Sequence, residues 1–188
     1  MSALGRELGV ELVPLMNCAG HCEGIGITEV FNHLSADEFP GSKNVEQLAI
    51  QQPAAAALMY DLYRDLFGCF TSEYFHIGGD EIRGLAGLYP ELSDAQRMEK
   101  AINYLLDIIA LVKSQGKKPM MWGDMLLKFP ALIPRLPGDV IIFDWSYFSS
   151  PLFKPLSNAK TLSVFRDAGL PTVYADAVTN WMGAPAAG

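Results

Sequence analysis

The feature that most constrains this fold is a regular alternation of short apolar segments with longer amphipathic ones. The short segments predict strands, at 10–16, 73–78, 118–122, 140–145 and 171–174. The longer segments predict helices, at 53–67, 94–116, 125–133 and 158–168, after a first helix end at 2–8. Strands separated by helices pair in parallel and are covered by those helices, which excludes β-sandwiches and helical bundles.

Both a doubly wound sheet and a (β/α)8 barrel fit this alternation. Polar and aromatic residues follow nearly every predicted strand: Asn17, His21, Asp80, Glu81, Trp122, Asp124, Asp144, Trp145, Tyr147, Asp176, Asn180 and Trp181. A barrel builds its active site from the carboxyl ends of several strands, whereas a doubly wound sheet concentrates its ligand groups at one switch point. The sequence also lacks a G-x-G-x-x-G phosphate motif after a strand, so the pattern favours the barrel.

The number of strands sets a limit on that interpretation. A closed barrel has eight strands, and about five β/α units are predicted here. We therefore expect an α/β fold of the TIM-barrel type, present as one incomplete domain over residues 1–188. The remaining strands are expected before Met1 and after Gly188.

The charge balance bears on the kind of partner. The net charge is −7 and the pI is near 4.9, which disfavours nucleic acid because phosphate backbones select basic surfaces. No apolar run is long enough to predict a membrane span. The N-terminus shows no signal peptide, so we expect a cytoplasmic protein; the oligomeric state is left open.

The cysteines do not predict a disulfide framework or a metal centre. Their number is odd, and the segment 18–22 (CAGHC) lacks the two-residue spacing of a zinc site. Small buried thiols near a strand end are the simpler interpretation. We therefore predict no metal and no cofactor.

The segment 76–81, His-Ile-Gly-Gly-Asp-Glu, carries the predicted chemistry. Adjacent residues on a regular strand point to opposite faces, but after Gly78 and Gly79 the chain can turn both carboxylates toward one cavity. Two close carboxylates perturb each other, and burial raises the pKa of the one that stays protonated, as a general acid requires. The alternatives are a solvated acidic loop and a Mg²⁺ site formed with Asp124, and His76 could be purely structural.

This segment closely resembles the signature of family 20 glycoside hydrolases, the β-N-acetylhexosaminidases. A second similarity lies at 14–21 (PLMNCAGH), although acidic residues found in many members are absent there. His21-Cys22-Glu23 is similar to the hexosaminidase D branch, as are 120–126 (MMWGDML) and, less specifically, 143–147 (FDWSY). The resemblance runs in order from about Gly9 to Trp181.

The resemblance implies a retaining reaction in which the 2-acetamido oxygen of the sugar, rather than an enzyme group, attacks the anomeric carbon. Glu81 would be the general acid and base, and Asp80 would orient the acetamido group. The substrate would be a glycan or glycoconjugate with a terminal non-reducing β-linked N-acetylhexosamine.

The resemblance and the positions after strands together nominate the sugar-binding residues: His21, His76, Trp122, Asp124, Trp145, Tyr147 and Trp181. An indole offers a flat apolar face and one donor, which suits a sugar ring, although each tryptophan could equally be core packing. The competing hypothesis for the whole chain is a catalytically inactive, truncated barrel that binds sugar weakly.

Overall fold

The computed structural model describes residues 2–39, 42–145 and 158–175. Its helices are α1 (Ser2–Glu7), α2 (Glu23–Gly26), α3 (Pro53–Cys69), α4 (Leu85–Leu88), α5 (Asp94–Ser114), α6 (Asp124–Lys128) and α7 (Asn158–Asp167). Its strands are β1 (Ser35–Phe39), β2 (Ser42–Leu48), β3 (Tyr74–His76), β4 (Lys118–Trp122), β5 (Ile141–Asp144) and β6 (Thr172–Tyr174). Two 3₁₀ helices, Asn32–Leu34 and Pro130–Arg135, complete the described elements.

The main sheet has the strand order β3-β4-β5-β6, and every pair in it is parallel. Each strand pairs with the next one in sequence, after a crossover that contains helix, so the alternation predicted from the sequence is confirmed for these strands. Consecutive neighbours in one direction are what an arc of a (β/α)8 barrel requires. Within the described residues the arc does not close.

The predicted strand at 10–16 forms only one bridge, between Leu15 and His76. The backbone N–H of His76 donates to Pro14 O at 2.9 Å, and the N–H of Met16 donates to His76 O at 3.0 Å. Pro14 has no N–H, so it cannot extend a ladder. The segment runs beside β3 as predicted, but the prediction of a regular strand was wrong.

The antiparallel hairpin of β1 and β2 was not predicted. Its strands, SADEF and SKNVEQL, lack the apolar alternation that signals a strand. Backbone bonds attach it to the loop 17–22: the N–H of Leu48 donates to Ala19 O at 2.8 Å, and the N–H of Cys22 donates to Glu46 O at 2.9 Å. The hairpin therefore fixes the position of that loop.

The long helices follow the predictions closely. Ser93 caps α5 in a full capping box with Gln96, and Gly116 stands just after the helix at φ +69°. The predicted helix at 125–133 divides into α6 and the 3₁₀ turn at Pro130–Arg135, because the prolines interrupt α-helical bonding. No described helix combines the length and apolar character needed to span a bilayer.

The core lies between the sheet and the helices that cover it. Strand residues Phe75, Met121 and Ile142 are fully buried, as is Ile77 just after β3. Fully buried helix residues include Met59, Tyr63, Ile102, Leu105, Ile108, Ile109 and Phe165. Two buried tyrosines turn their hydroxyls toward the loop 17–22 and the residue just before it. Tyr63 donates to Met16 O at 2.6 Å, and Tyr104 donates to Cys18 O at 2.7 Å.

Candidate active site

The site lies at the carboxyl ends of the strands, where the sequence predicted it. Asp80 and Glu81 follow β3, Asp124 follows β4, and Trp145 follows β5. The loop 17–22 adds His21 from the neighbouring edge. Tyr147 and Trp181 lie outside the described residues.

Glycines allow the loop 17–22 and the carboxylate segment to approach each other. A Cβ at Gly78, whose φ is +70°, would lie 2.1 Å from Asn17 Oδ1. A Cβ at Gly20 would lie 2.6 Å from Asp80 O. Real Cβ atoms do not make such contacts, so the close approach of the loop 17–22 to the carboxylate segment requires glycine at both positions.

His21 stands between the two carboxylates. Its Nε2 lies 3.5 Å from Asp80 Oδ2 and 3.4 Å from Glu81 Oε2, while its Nδ1 lies 3.6 Å from Glu23 Oε1. His21 (φ +52°) and Glu81 (φ +44°) are the non-glycine residues with positive φ in the described chain. Such conformations cost about 1–3 kcal/mol each and persist where the surroundings over-determine them, which makes this pair a candidate functional centre.

The environment of Asp80 favours its neutral form. The pKa of Asp80 is raised to about 6; burial is the main cause, His21 opposes the rise, and Asp124 contributes to it. The group therefore changes charge near neutral pH, within the range that acid–base chemistry uses.

Asp124 supports the backbone of Glu81. Its Oδ2 accepts the backbone N–H of Glu81 at 3.1 Å. Burial raises the pKa of Asp124, while that N–H, Lys128 and the side chain of Trp145 lower it. Asp124 thus helps to hold Glu81 in its left-handed conformation, and it also interacts with the side chain of Trp145.

His76 is neutral and has a defined tautomer. The backbone N–H of Gly78 donates to His76 Nδ1 at 3.1 Å, so Nε2 carries the proton. Burial lowers the pKa of His76 to about 4. The ring packs against Trp122 at 4.7 Å and Phe143 at 5.2 Å between centroids, and Nε2 has no partner among the described residues. It is a buried donor.

Arg83 and Gln47 belong to the site but were not among the predicted site residues. Arg83 Nη2 donates to Glu81 Oε2 at 2.5 Å, and the backbone N–H of Arg83 donates to Gln47 Oε1 at 2.8 Å. The position of Arg83 two residues after Glu81 was a usable signal. Gln47 lies on the unpredicted hairpin, and nothing in its local sequence distinguishes it.

Three further polar or thiol residues near these strand ends are buried. Asp144 is buried, and its Oδ2 accepts a hydrogen bond from Thr161 at 2.5 Å. Cys18 and Cys22 are buried free thiols, as the sequence predicted. Burial raises the pKa of both thiols. Among the residues that the structure describes, no three His, Cys, Asp or Glu side chains are arranged to hold a metal ion.

Solved structures with the same fold include the chitobiase of Flavobacterium johnsoniae and an exo-β-N-acetylglucosaminidase of Vibrio harveyi in complex with N-acetylglucosamine. The first has a TM-score of 0.69 at 18% identity and the second 0.68 at 18% identity. Their alignments cover 95% and 94% of this chain, and 27% of each solved chain. The arc of parallel strands is therefore found in these enzymes as part of a larger fold.

Curated relatives are also longer than this chain. The lacto-N-biosidase of Bifidobacterium bifidum is 26% identical over 151 residues, which covers 74% of this chain and 13% of the relative. The β-N-acetylhexosaminidase of Cellulomonas fimi is 24% identical over 149 residues, which covers 76% of this chain and 26% of the relative. This chain thus spans about a quarter or less of the relatives' length.

The catalytic domains of glycosyl hydrolase family 20 are TIM barrels, and the family model for this domain matches residues 1–164. That range contains the loop 17–22, the carboxylate pair and the ends of β3, β4 and β5. The resemblance drawn from the segment 76–81 is confirmed, whereas the assignment to the hexosaminidase D branch stays a prediction. The chain belongs to glycosyl hydrolase family 20.

Proposed function

We propose that this chain carries the acid–base centre that hydrolyses terminal, non-reducing β-linked N-acetylhexosamine residues with retention of configuration. The observation that carries the proposal is the arrangement of Asp80, Glu81 and His21, in which one imidazole nitrogen lies within 3.5 Å of both carboxylates. The family and the names of the relatives support the substrate class.

In the first step Glu81 donates a proton to the glycosidic oxygen as its bond to the anomeric carbon breaks. The 2-acetamido oxygen of the same sugar forms the new bond to that carbon. In the second step water attacks the anomeric carbon, gives a proton to the Glu81 carboxylate and reopens the ring. Two inversions leave the configuration unchanged, and a positioned acid of this kind contributes about 10²–10⁴ in rate.

Asp80 acts on the acetamido group. As a carboxylate it accepts the acetamido N–H and balances the positive charge of the cyclised intermediate. Its partial burial strengthens this interaction, because an electrostatic contact is stronger where water is excluded. The same burial raises the pKa of Asp80 to about 6, so the working form is populated above that pH.

The remaining predicted residues would form the walls of the sugar site. His76 offers its Nε2–H donor, Trp122 and Trp145 offer apolar faces, and His21 and Asp124 orient the carboxylates. Tyr147, as a contact to the acetamido oxygen, and Trp181 stay predictions.

The test is release of 4-nitrophenol from the 4-nitrophenyl β-glycosides of N-acetylglucosamine and N-acetylgalactosamine by the purified chain. Glu81→Gln should lower kcat by about 10²–10⁴. Glu91→Gln, at an exposed carboxylate outside the site, is the matched control and should leave kcat unchanged. Near-normal activity of Glu81→Gln would show that the assignment is wrong.

One observation favours a second candidate, an inactive partial barrel that binds sugar weakly: the sheet does not close within the described residues. The 4-nitrophenol assay also distinguishes the two candidates. Turnover by the purified chain eliminates the inactive barrel, whereas sugar binding without turnover supports it.

A further inference from the structure

Gln47 is a buried amide that bonds three separate backbone segments. Its side chain is almost completely buried, in strand β2 of the hairpin. Nε2 donates to Ala19 O at 3.1 Å and to Leu48 O at 3.0 Å. Oε1 accepts the backbone N–H of Arg83 at 2.8 Å. Both amide donors and the amide oxygen are therefore engaged.

These bonds flank the two residues with strained backbone. Ala19 precedes His21 by two positions, and Arg83 follows Glu81 by two positions. One side chain thus links the loop that carries the imidazole to the segment that carries the carboxylates. Asp124 already holds Glu81 from the other side through its backbone N–H.

We infer that Gln47 is a positioning residue for the reaction, which sets the separation between His21 and the Asp80–Glu81 pair. The inference rests on the proposed function. A purely structural bridge would have no reason to end beside the left-handed residues on both sides. Displacement of reacting groups by about 1 Å can lower a rate about 100-fold, so a buried bridge of this kind is expected to act on the chemical step.

The direct test replaces Gln47 by Met, which keeps the volume and removes all three hydrogen bonds. Gln47→Glu is the second variant: it keeps an acceptor for the N–H of Arg83 but loses the donors to Ala19 and Leu48. The matched control is Gln96→Leu, since Gln96 also bonds through its side chain but at the exposed cap of α5.

The readout is affinity for two probes by calorimetry. One probe is N-acetylglucosamine, and the other is its fused thiazoline, a mimic of the cyclised intermediate. In Gln47→Met we expect affinity for the thiazoline to fall at least 10-fold and affinity for the sugar to fall less than 3-fold. With the chromogenic substrate, kcat should fall at least 10-fold with a smaller change in KM.

The control and the second variant define the result that would overturn the inference. A thermal melt establishes the folded fraction of each variant, and Gln96→Leu should change both affinities equally or not at all. If both Gln47 variants lose thiazoline and sugar affinity in equal proportion, the residue is only structural and the inference is overturned. If Gln47→Met does not fold, the test rests on Gln47→Glu, again by comparing the loss of thiazoline affinity with the loss of sugar affinity. If the unmodified chain does not bind thiazoline, the proposed function fails instead.

Discussion

The two sides of the site are built in different ways. Asp80, Asp124 and Trp145 follow regular parallel strands, so the hydrogen-bond ladder of β3, β4 and β5 sets their positions. The loop 17–22, which carries His21, has no such ladder on its own. It is held by two backbone bonds to β2, by hydroxyls of buried tyrosines, by one glutamine and by contacts at glycine.

The difference shows where precision in this site depends on individual side chains. A ladder distributes its stability over many equivalent backbone bonds, so that loss of one side chain moves the strand ends little. The loop depends on a few long-range bonds, and those from Gln47 and Tyr104 each require one particular side chain. Substitutions that remove those bonds should therefore affect the site more than substitutions in the ladder region.

The largest effect is expected at the junction between the two sides. Gly78→Ala places a Cβ into Asn17 and into a left-handed backbone conformation, and we expect it to lower the free energy of unfolding by about 3 kcal/mol or more. Urea unfolding measures this loss. Gly68→Ala in α3, where a Cβ would meet nothing within 4 Å, should instead gain up to about 1 kcal/mol. Equal effects of the two substitutions would contradict the required close approach.

A smaller effect is expected when one bond to the loop is removed. Tyr63→Phe leaves Met16 O without its hydroxyl donor, and we expect a loss of about 1–3 kcal/mol in the free energy of unfolding. Hydrogen exchange should increase for amides of the loop 17–22 more than for those of β4. Tyr60→Phe, a partly exposed tyrosine on the same helix, should stay within about 0.5 kcal/mol. Faster exchange in β4 as well would show that the two sides are not separable.

The smallest effect concerns the charge of Asp80. The folded carboxyl, with a pKa of about 6, binds its proton more tightly than an unfolded carboxyl near 3.8. The contribution of Asp80 to stability should therefore fall as the pH rises from about 4 to about 6. Asp80→Asn lacks this titration. The difference in free energy of unfolding, variant minus unmodified chain, should rise by about 1 kcal/mol over that pH range. This value allows for the partial exposure of the group. Above that range the difference should stay constant.

Denaturant unfolding at several pH values measures this slope. Asp107→Asn, at an exposed carboxylate on α5, is the control and should show no comparable slope. The side chains of His21, Glu81 and Asp124, which surround Asp80, are the same in both proteins. A flat difference between the Asp80 variant and the unmodified chain would mean that the carboxyl is not desolvated.

Local sequence patterns predicted the side of the site whose residues follow the parallel strands. Apolar periodicity located β3, β4, β5 and β6, and the glycines before Asp80 located the carboxylates. The other side depends on contacts between distant residues, which periodicity does not encode. Gln47 bonds Ala19 across 28 positions, and Tyr104 bonds Cys18 across 86. The strand predicted at 10–16 does not form as a regular strand, because Pro14 has no N–H with which to extend the ladder.

The sequential order of β3 to β6 has a consequence for the way the chain folds during synthesis. From β4 onward each of these strands pairs with the one completed just before it, so a β/α unit can dock as soon as it leaves the ribosome. The hairpin and the loop 17–22 are made earlier, yet Tyr104 can secure Cys18 only after α5 has been translated. The imidazole side of the site can therefore be secured only after α5 has been made, although its residues are synthesised first.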